Sequence, residues 1–179
     1  MLTAVVSATH RPGSFTRRVS VYVARRLQEE RVSYHFIDFR TLPTDFLFSD
    51  AFGARSDTFL PVIESLAECY TWLWVVPEYN GSFPGIVKVF IDNLPREVLR
   101  GKRAGLIGVS DGKFGNLRGL EHLTGILHYC GMEVIPFRAH LMHVSQRWNE
   151  ELGMPDEAHR TEIEILLQQA ILVPQGRGA

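Results

Sequence analysis

Three short stretches carry residue types that can hold a ligand, and each follows an apolar run. The first is Ser7-Ala8-Thr9-His10-Arg11-Pro12-Gly13-Ser14-Phe15-Thr16. It leaves a β-branched run and enters an amphipathic one, so its polar residues fall at a helix N-terminus. Such an end presents unpaired N–H groups and roughly half a positive charge, which favours a bound phosphate. Thr9, Ser14 and Thr16 add hydroxyls, and Arg11 adds a guanidinium fork. The plainer alternative is that Ser14 caps the helix and Thr9 sits in a turn.

The second stretch is Pro77-Glu78-Tyr79-Asn80-Gly81-Ser82-Phe83-Pro84-Gly85. A packing loop has no need of Glu78, Tyr79 and Asn80 together. Tyr79 offers a flat surface with a polar tip, and Asn80 a paired donor and acceptor. The alternative is a Gly/Pro-rich turn with Tyr79 packed inward. The third stretch, Gly108-Val109-Ser110-Asp111-Gly112-Lys113-Phe114-Gly115, has glycines that let backbone approach a planar ligand. It superficially resembles a nucleotide phosphate loop. However, the spacing from Gly108 to Gly112-Lys113 is one residue short, and Phe114 stands where Ser or Thr is required. Kinase and ATPase readings fall on those two mismatches.

The elements that position these stretches read as alternating strands and helices. Leu2 to Ala8 is a buried strand, and Phe15 to Glu30 an amphipathic helix with Val19, Val23 and Leu27 at helical spacing. Val32 to Phe39 is a second strand, followed by a long connection from Arg40 to Asp57. Thr58 to Tyr70 reads as a helix and Thr71 to Val76 as an uninterrupted apolar strand, with Trp72 and Trp74 expected in the core. Pro84 to Asn93 is a helix with proline in its first turn, and Arg103 to Val109 a fourth strand. Asn116 to Tyr129 is a helix ended by Gly131, Met132 to Pro136 a fifth strand, and Asp156 caps a last helix running to about Ile171. Pro174 to Ala179 reads as a frayed tail. This pattern predicts an α/β fold with a five-stranded parallel sheet covered by helices on both faces. Ligands of such sheets bind at the carboxyl ends of the strands, which is where all three stretches fall.

Composition narrows the partner. The chain has 179 residues, 45% apolar and 22% charged, with a formal net charge of −1, which suits one globular domain over residues 1–179. It offers no basic field for nucleic acid and no apolar run of membrane-spanning length. Arg11, Arg17, Arg18, Arg25 and Arg26 gather near one helix; they suit one phosphate better than a duplex, or they are solvated helix-face charges. Cys69 and Cys130 are far apart and read as buried thiols, which fits a reducing cytoplasm. The start lacks the cationic n-region and cleavage site of a signal peptide. No HExxH motif is present. His140 and His143 could share one helix face, but no carboxylate or cysteine completes a metal-ligand set.

Taken together, the chain resembles the NADPH-dependent FMN reductase family, whose relatives include quinone, azo-dye and chromate reductases. The resemblance implies a flavodoxin-like three-layer sandwich whose sheet has the order 2-1-3-4-5. Ala8 to Thr16 is similar in register to the family's Gly-Ser-x-Arg-x-x-Ser-x-Asn loop. The family's Pro-Glu-Tyr-Asn-x-x-x-Pro-Gly stands intact from Pro77 to Gly85, and its Ser-x-Gly turn as Ser110-Asp111-Gly112. The resemblance implies that Thr9, Arg11, Ser14, Phe15 (through its backbone) and Thr16 hold the phosphate of FMN. It implies that Pro77, Glu78, Tyr79 and Asn80 line the isoalloxazine and ribityl chain, and that Ser110, Asp111 and Gly112 face the ring's pyrimidine edge. NADPH or NADH would be the co-substrate and a small molecule the final acceptor. A homodimer or homotetramer is implied too, with Phe83 and Phe114 free to cover the flavin or meet a second subunit. Thr16 in place of the usual Asn removes an amide from the phosphate site, and Val89 replaces an Asn that often follows Lys88. An electron-transfer flavodoxin and a flavin-free binding or sensor protein are the rival readings; flavodoxins are typically strongly acidic, and this chain is near neutral.

Overall fold

The computed structural model describes residues 2–43 and 56–171. Strand β1 (Thr3–Ser7) pairs in parallel with β2 (Tyr34–Asp38) and with β3 (Thr71–Pro77). Strand β3 pairs with β4 (Arg103–Val109), and β4 with β5 (Glu133–Leu141), again in parallel. The sheet order is β2-β1-β3-β4-β5, as the family resemblance implies. Every residue of β1, β3 and β4 is buried, because helices cover both faces. That is why these strands read as continuous apolar runs.

Side chains alternate between two cores. Ala4, Val6, Trp72, Trp74 and Leu106 face helices α2 (Leu60–Glu68), α3 (Gly85–Asn93), α4 (Arg96–Leu99) and α5 (Leu117–Tyr129). Val5, Leu73, Val75 and Ile107 face α1 (Phe15–Glu29) and α6 (Glu157–Ile171). On the first face Phe90 gathers Phe39, Phe59 and Trp74 at centroid distances of 4.5, 5.9 and 6.2 Å. Such ring pairs contribute about 0.5–1.5 kcal/mol each beyond burial. Trp72 and Trp74 are fully buried, which is the core role expected of them. The caps hold as well: Ser14 Oγ accepts from Arg17 N (3.2 Å), and Asp156 Oδ1 from His159 N (3.0 Å).

Strand β5 differs from its expected span, Met132 to Pro136. It runs on to Leu141, because Pro136 falls where the ladder is already irregular. Ala104 pairs with Val134 and Leu106 with Arg138, so Ile135, Pro136 and Phe137 stand opposite Gly105 alone. At such a bulge the missing N–H of proline costs no ladder bond. The extension carries His140 into the strand, and His143 follows in a turn with φ 51°. The expectation that these two histidines share a helix face is therefore wrong. Helix α4 and a small ribbon of β6 (Trp148–Asn149) and β7 (Met154–Pro155) had no counterpart in the sequence reading. Most of the Arg40–Asp57 connection, and the tail from Pro174, lie outside the described residues. No described helix is long and apolar enough to cross a membrane.

Candidate functional site

Parallel strands end on one edge, so the three stretches emerge side by side from β1, β3 and β4. Backbone bonds fasten each start to its neighbour: Ala8 N donates to Val75 O, Glu78 N to Val109 O and Ser110 N to Leu141 O, each at 3.0 Å. Between the loops lies a cleft of about 230 Å³. Arg11, Ser14, Phe15 and Thr16 line it from the first loop, Pro77, Glu78 and Tyr79 from the second, and Ser110 and Asp111 from the third. Thr9, Asn80 and Gly112 stand outside that lining.

In the first loop, Gly13 turns the chain with φ 66° and delivers it to the N-terminus of α1. Ser14 both caps that helix and lines the cleft, so its two readings are compatible. Thr9 is buried; its Oγ1 lies 3.0 Å from the Tyr79 hydroxyl and accepts from Arg11 N at 3.2 Å. It works as a strut that joins the first two loops. Arginines around α1 are mostly committed elsewhere: Arg17 to Asp38 (2.8 Å), Arg18 to Glu150, Arg26 to Glu164 (2.6 Å), and Arg25 over the Tyr22 ring. Those are the helix-face charges of the plainer reading. Arg11 is exposed, lines the cleft and makes no ion pair with a described carboxylate.

The second loop closes as a two-residue hairpin turn. Tyr79 N donates to Ser82 O (2.8 Å) and Ser82 N to Tyr79 O (3.1 Å), with Asn80 at φ 52° and Gly81 at φ 76°. Two successive left-handed residues are what an Asn-Gly pair supplies. Asn80 thus has a backbone reason to be asparagine, and its residue is exposed. Phe83 is partly buried against the first core.

The third loop is cross-tied. Gly112 N donates to Ser110 Oγ (2.9 Å), Val144 N to Ser110 O (3.2 Å) and Ser145 N to Asp111 Oδ1 (2.9 Å), while His143 Nδ1 lies 3.0 Å from Asp111 O. Val144 also lines the cleft, a residue the sequence reading missed because Pro136 seemed to end the strand that leads to it. Asn116 was missed too. It is buried, has φ 62°, and its Nδ2 donates to Val76 O (3.0 Å), tying the end of β3 to the start of α5. Gly115, at φ 52°, passes so close to β5 that a Cβ there would stand 2.6 Å from the carbonyl carbon of His140. Behind this loop, His159 is fully buried. Burial, helped by Arg147, holds its ring below the usual imidazole range. For Asp156 burial pushes upward, but the His159 amide and the Arg147 guanidinium outweigh it and hold the carboxyl low.

This arrangement sets anion donors at one end of a cleft and two backbone-rich loops at the other. Among the described residues that line the cleft, no nucleophile is paired with a base; Ser82 Oγ, on the second loop, lies 2.9 Å from His122 Nδ1 but outside that lining. The cleft suits binding of a phosphorylated planar group that brings its own chemistry.

Comparison with known proteins agrees with that reading. Residues 1–145 match the model of the NADPH-dependent FMN reductase family. The chain is 31% identical over 135 residues to a 2-hydroxy-1,4-benzoquinone reductase of a Burkholderia species, a match covering 70% of this chain and 69% of that protein. In fold it is similar to the apo form of the NADH:FMN oxidoreductase EMOB (TM-score 0.76, 17% identity, 98% of this chain and 92% of that one). It is similar also to FerB, a flavoenzyme NAD(P)H:(acceptor) oxidoreductase from Paracoccus denitrificans (TM-score 0.73, 22% identity, 95% of each chain). With a family model spanning most of its length and a relative above 30% identity, the chain belongs to the NADPH-dependent FMN reductase family.

Proposed function

We propose that the whole chain is one FMN-binding domain, and that its cleft holds FMN for electron transfer from NAD(P)H to a small acceptor such as a quinone. Bound there, FMN would supply hydride- and electron-transfer chemistry. The protein's own task is position and electrostatics. Arg11, Ser14, Thr16 and the backbone N–H groups at Phe15 and the start of α1 hold the phosphate, with Thr9 fixing Arg11 from below. Pro77, Glu78 and Tyr79 form one wall for the ribityl chain and ring, and Asn80 shapes their turn. Ser110, Asp111 and Gly112 form the facing wall, with Ser110 N and Gly112 N already donating to Leu141 O and Ser110 Oγ.

The observation that carries this reading is Arg11: a cation on the cleft wall, beside the N-terminus of a 15-residue helix, with no described carboxylate to neutralise it. A cleft of about 230 Å³ is below the about 300–1,000 Å³ of sites that enclose a whole ligand, so it takes only part of a mononucleotide. FMN at a hundredfold excess over its dissociation constant should stabilise the fold by about 2.7 kcal/mol, raising Tm by roughly 5–10 °C. Riboflavin at the same concentration should give a much smaller rise. Equal rises would contradict the phosphate assignment.

A homodimer or homotetramer is part of the proposal, supported by Leu117, exposed at the start of α5; light scattering of the purified protein tests it. A cytoplasmic location is supported by the two free cysteines.

A further inference from the structure

The third loop continues past Gly112 into Lys113 and Phe114, which do not line the cleft. Phe114 is 49% exposed, and two cations flank its ring. Lys113 Nζ lies 5.2 Å from the ring centroid and Arg118 Cζ 5.8 Å. Arg118 stands in the first turn of α5 and leans back toward the cleft. Its Nη2 is 3.6 Å from Oε1 of Glu78, which lines the wall. Its Nε is 3.8 Å from where a Cβ on Gly81 would stand, so the guanidinium rests over the turn of the second loop.

Lys113 makes no ion pair with a described carboxylate, in contrast to the paired Arg17, Arg18 and Arg26. Two cations gathered at one ring make a local positive potential that a bound anion relieves. The sheet order puts β3 between β1 and β4, so this pair lies across the second loop from Arg11. The molecule therefore has two separate cationic places at the rim of one cleft. A reaction between a mononucleotide and a dinucleotide needs two, because each ligand brings its own phosphates.

We propose that Lys113, Phe114 and Arg118 form the subsite for the phosphate groups of the nicotinamide dinucleotide. The inference rests on reading the cleft as a flavin site, with Arg11 serving the phosphate of FMN. Phe114 holds the two cations apart at a fixed spacing through its ring face. Glu78 tethers Arg118 when no nucleotide is present, and the 3.6 Å pair is loose enough to be exchanged for a phosphate oxygen.

The test is steady-state kinetics of the FMN-loaded protein with NADPH and with NADH, at saturating quinone, for the native chain, Lys113→Glu and Arg118→Lys. Binding of FMN is titrated in each. Lys113→Glu should raise KM for NADPH by about tenfold or more, the loss of one charged hydrogen bond, with kcat and FMN affinity unchanged. Arg118→Lys should raise KM less, since the charge remains but the planar fork is lost. A rise for NADPH alone supports contact with the 2′-phosphate, and a rise for both nucleotides supports contact with the pyrophosphate. Native kinetics left unchanged by both substitutions overturn the subsite alone. Unchanged KM with an altered oligomeric state also overturns it and makes Lys113 a subunit contact. A native chain that binds FMN yet oxidises neither nucleotide overturns the subsite and the reductase reading together.

Discussion

The first and third loops meet the same cleft and are held in opposite ways. Among the described residues, the first is fastened mainly at its ends, by Thr9 at one side and the Ser14 cap at the other. Arg11, Pro12 and Gly13 between them are exposed. The third is tied to the segment after β5 through Ser110, Asp111 and Gly112, and is wedged by Gly115 against His140. Donors left without internal partners are available to a ligand, whereas a loop already spent on internal bonds serves as a wall. Substitutions between Arg11 and Gly13 should therefore act on ligand affinity, and those at the tied residues of the third loop, Gly115 above all, on folding stability.

The largest expected effect breaks the wall. Gly115→Ala adds a Cβ 2.6 Å from the His140 carbonyl carbon at a residue with φ 52°. Left-handed strain and overpacking together should cost about 2–4 kcal/mol, measured by urea unfolding of the flavin-free protein. A loss well below 1 kcal/mol would mean the wall is looser than described. Next comes Arg11→Ala, which should weaken FMN by about 1.5–3 kcal/mol and leave riboflavin binding and flavin-free Tm as they were. Equal loss for both flavins would take Arg11 off the phosphate.

The second loop is intermediate, and Asn80 sharpens the contrast. Because its φ is 52°, Asn80→Ala should destabilise the flavin-free chain by roughly 1 kcal/mol, while Asn80→Gly should cost far less. Destabilisation by glycine as large as by alanine would assign the role to the side chain instead of the turn. The smallest effect is a pH dependence behind the third loop. His159 titrates below its ordinary 6.5 when folded, so the unfolded chain takes up the proton first. Its contribution is complete above about pH 6.5 and is lost as pH falls below that value. Asp156, held low, keeps its contribution until more acid conditions. The slope of Tm against pH just below 6.5 should flatten in His159→Leu. A slope identical to the native one would remove His159 from the account.

The sequence displayed the sheet and the loops more clearly than the ties between them. The parallel sheet followed from buried apolar runs alternating with helices, its strand order from the family resemblance, and the intact stretch from Pro77 to Gly85 marked the second loop. What stayed hidden was tertiary. Pro136 reads as a strand end unless the bulge opposite Gly105 is known, so Val144 could not be placed at the cleft. Thr9 reads as a phosphate ligand until Tyr79, seventy residues away, is found on its hydroxyl. Asn116 carries no local pattern at all, since its partner is the Val76 carbonyl on another strand. The Asn80-Gly81 turn was legible by its residue pair, but the surrounding motif drew attention to the side chain.

The central claim is that this cleft binds FMN and passes electrons from NAD(P)H through it. The most direct measurement loads the purified protein with FMN, adds NADPH and then NADH without oxygen, and follows the visible flavin absorbance. The account predicts that at least one nucleotide bleaches the bound flavin and that a quinone restores its colour. A protein that holds FMN but keeps its colour with both nucleotides would contradict it and would favour an electron-transfer flavodoxin.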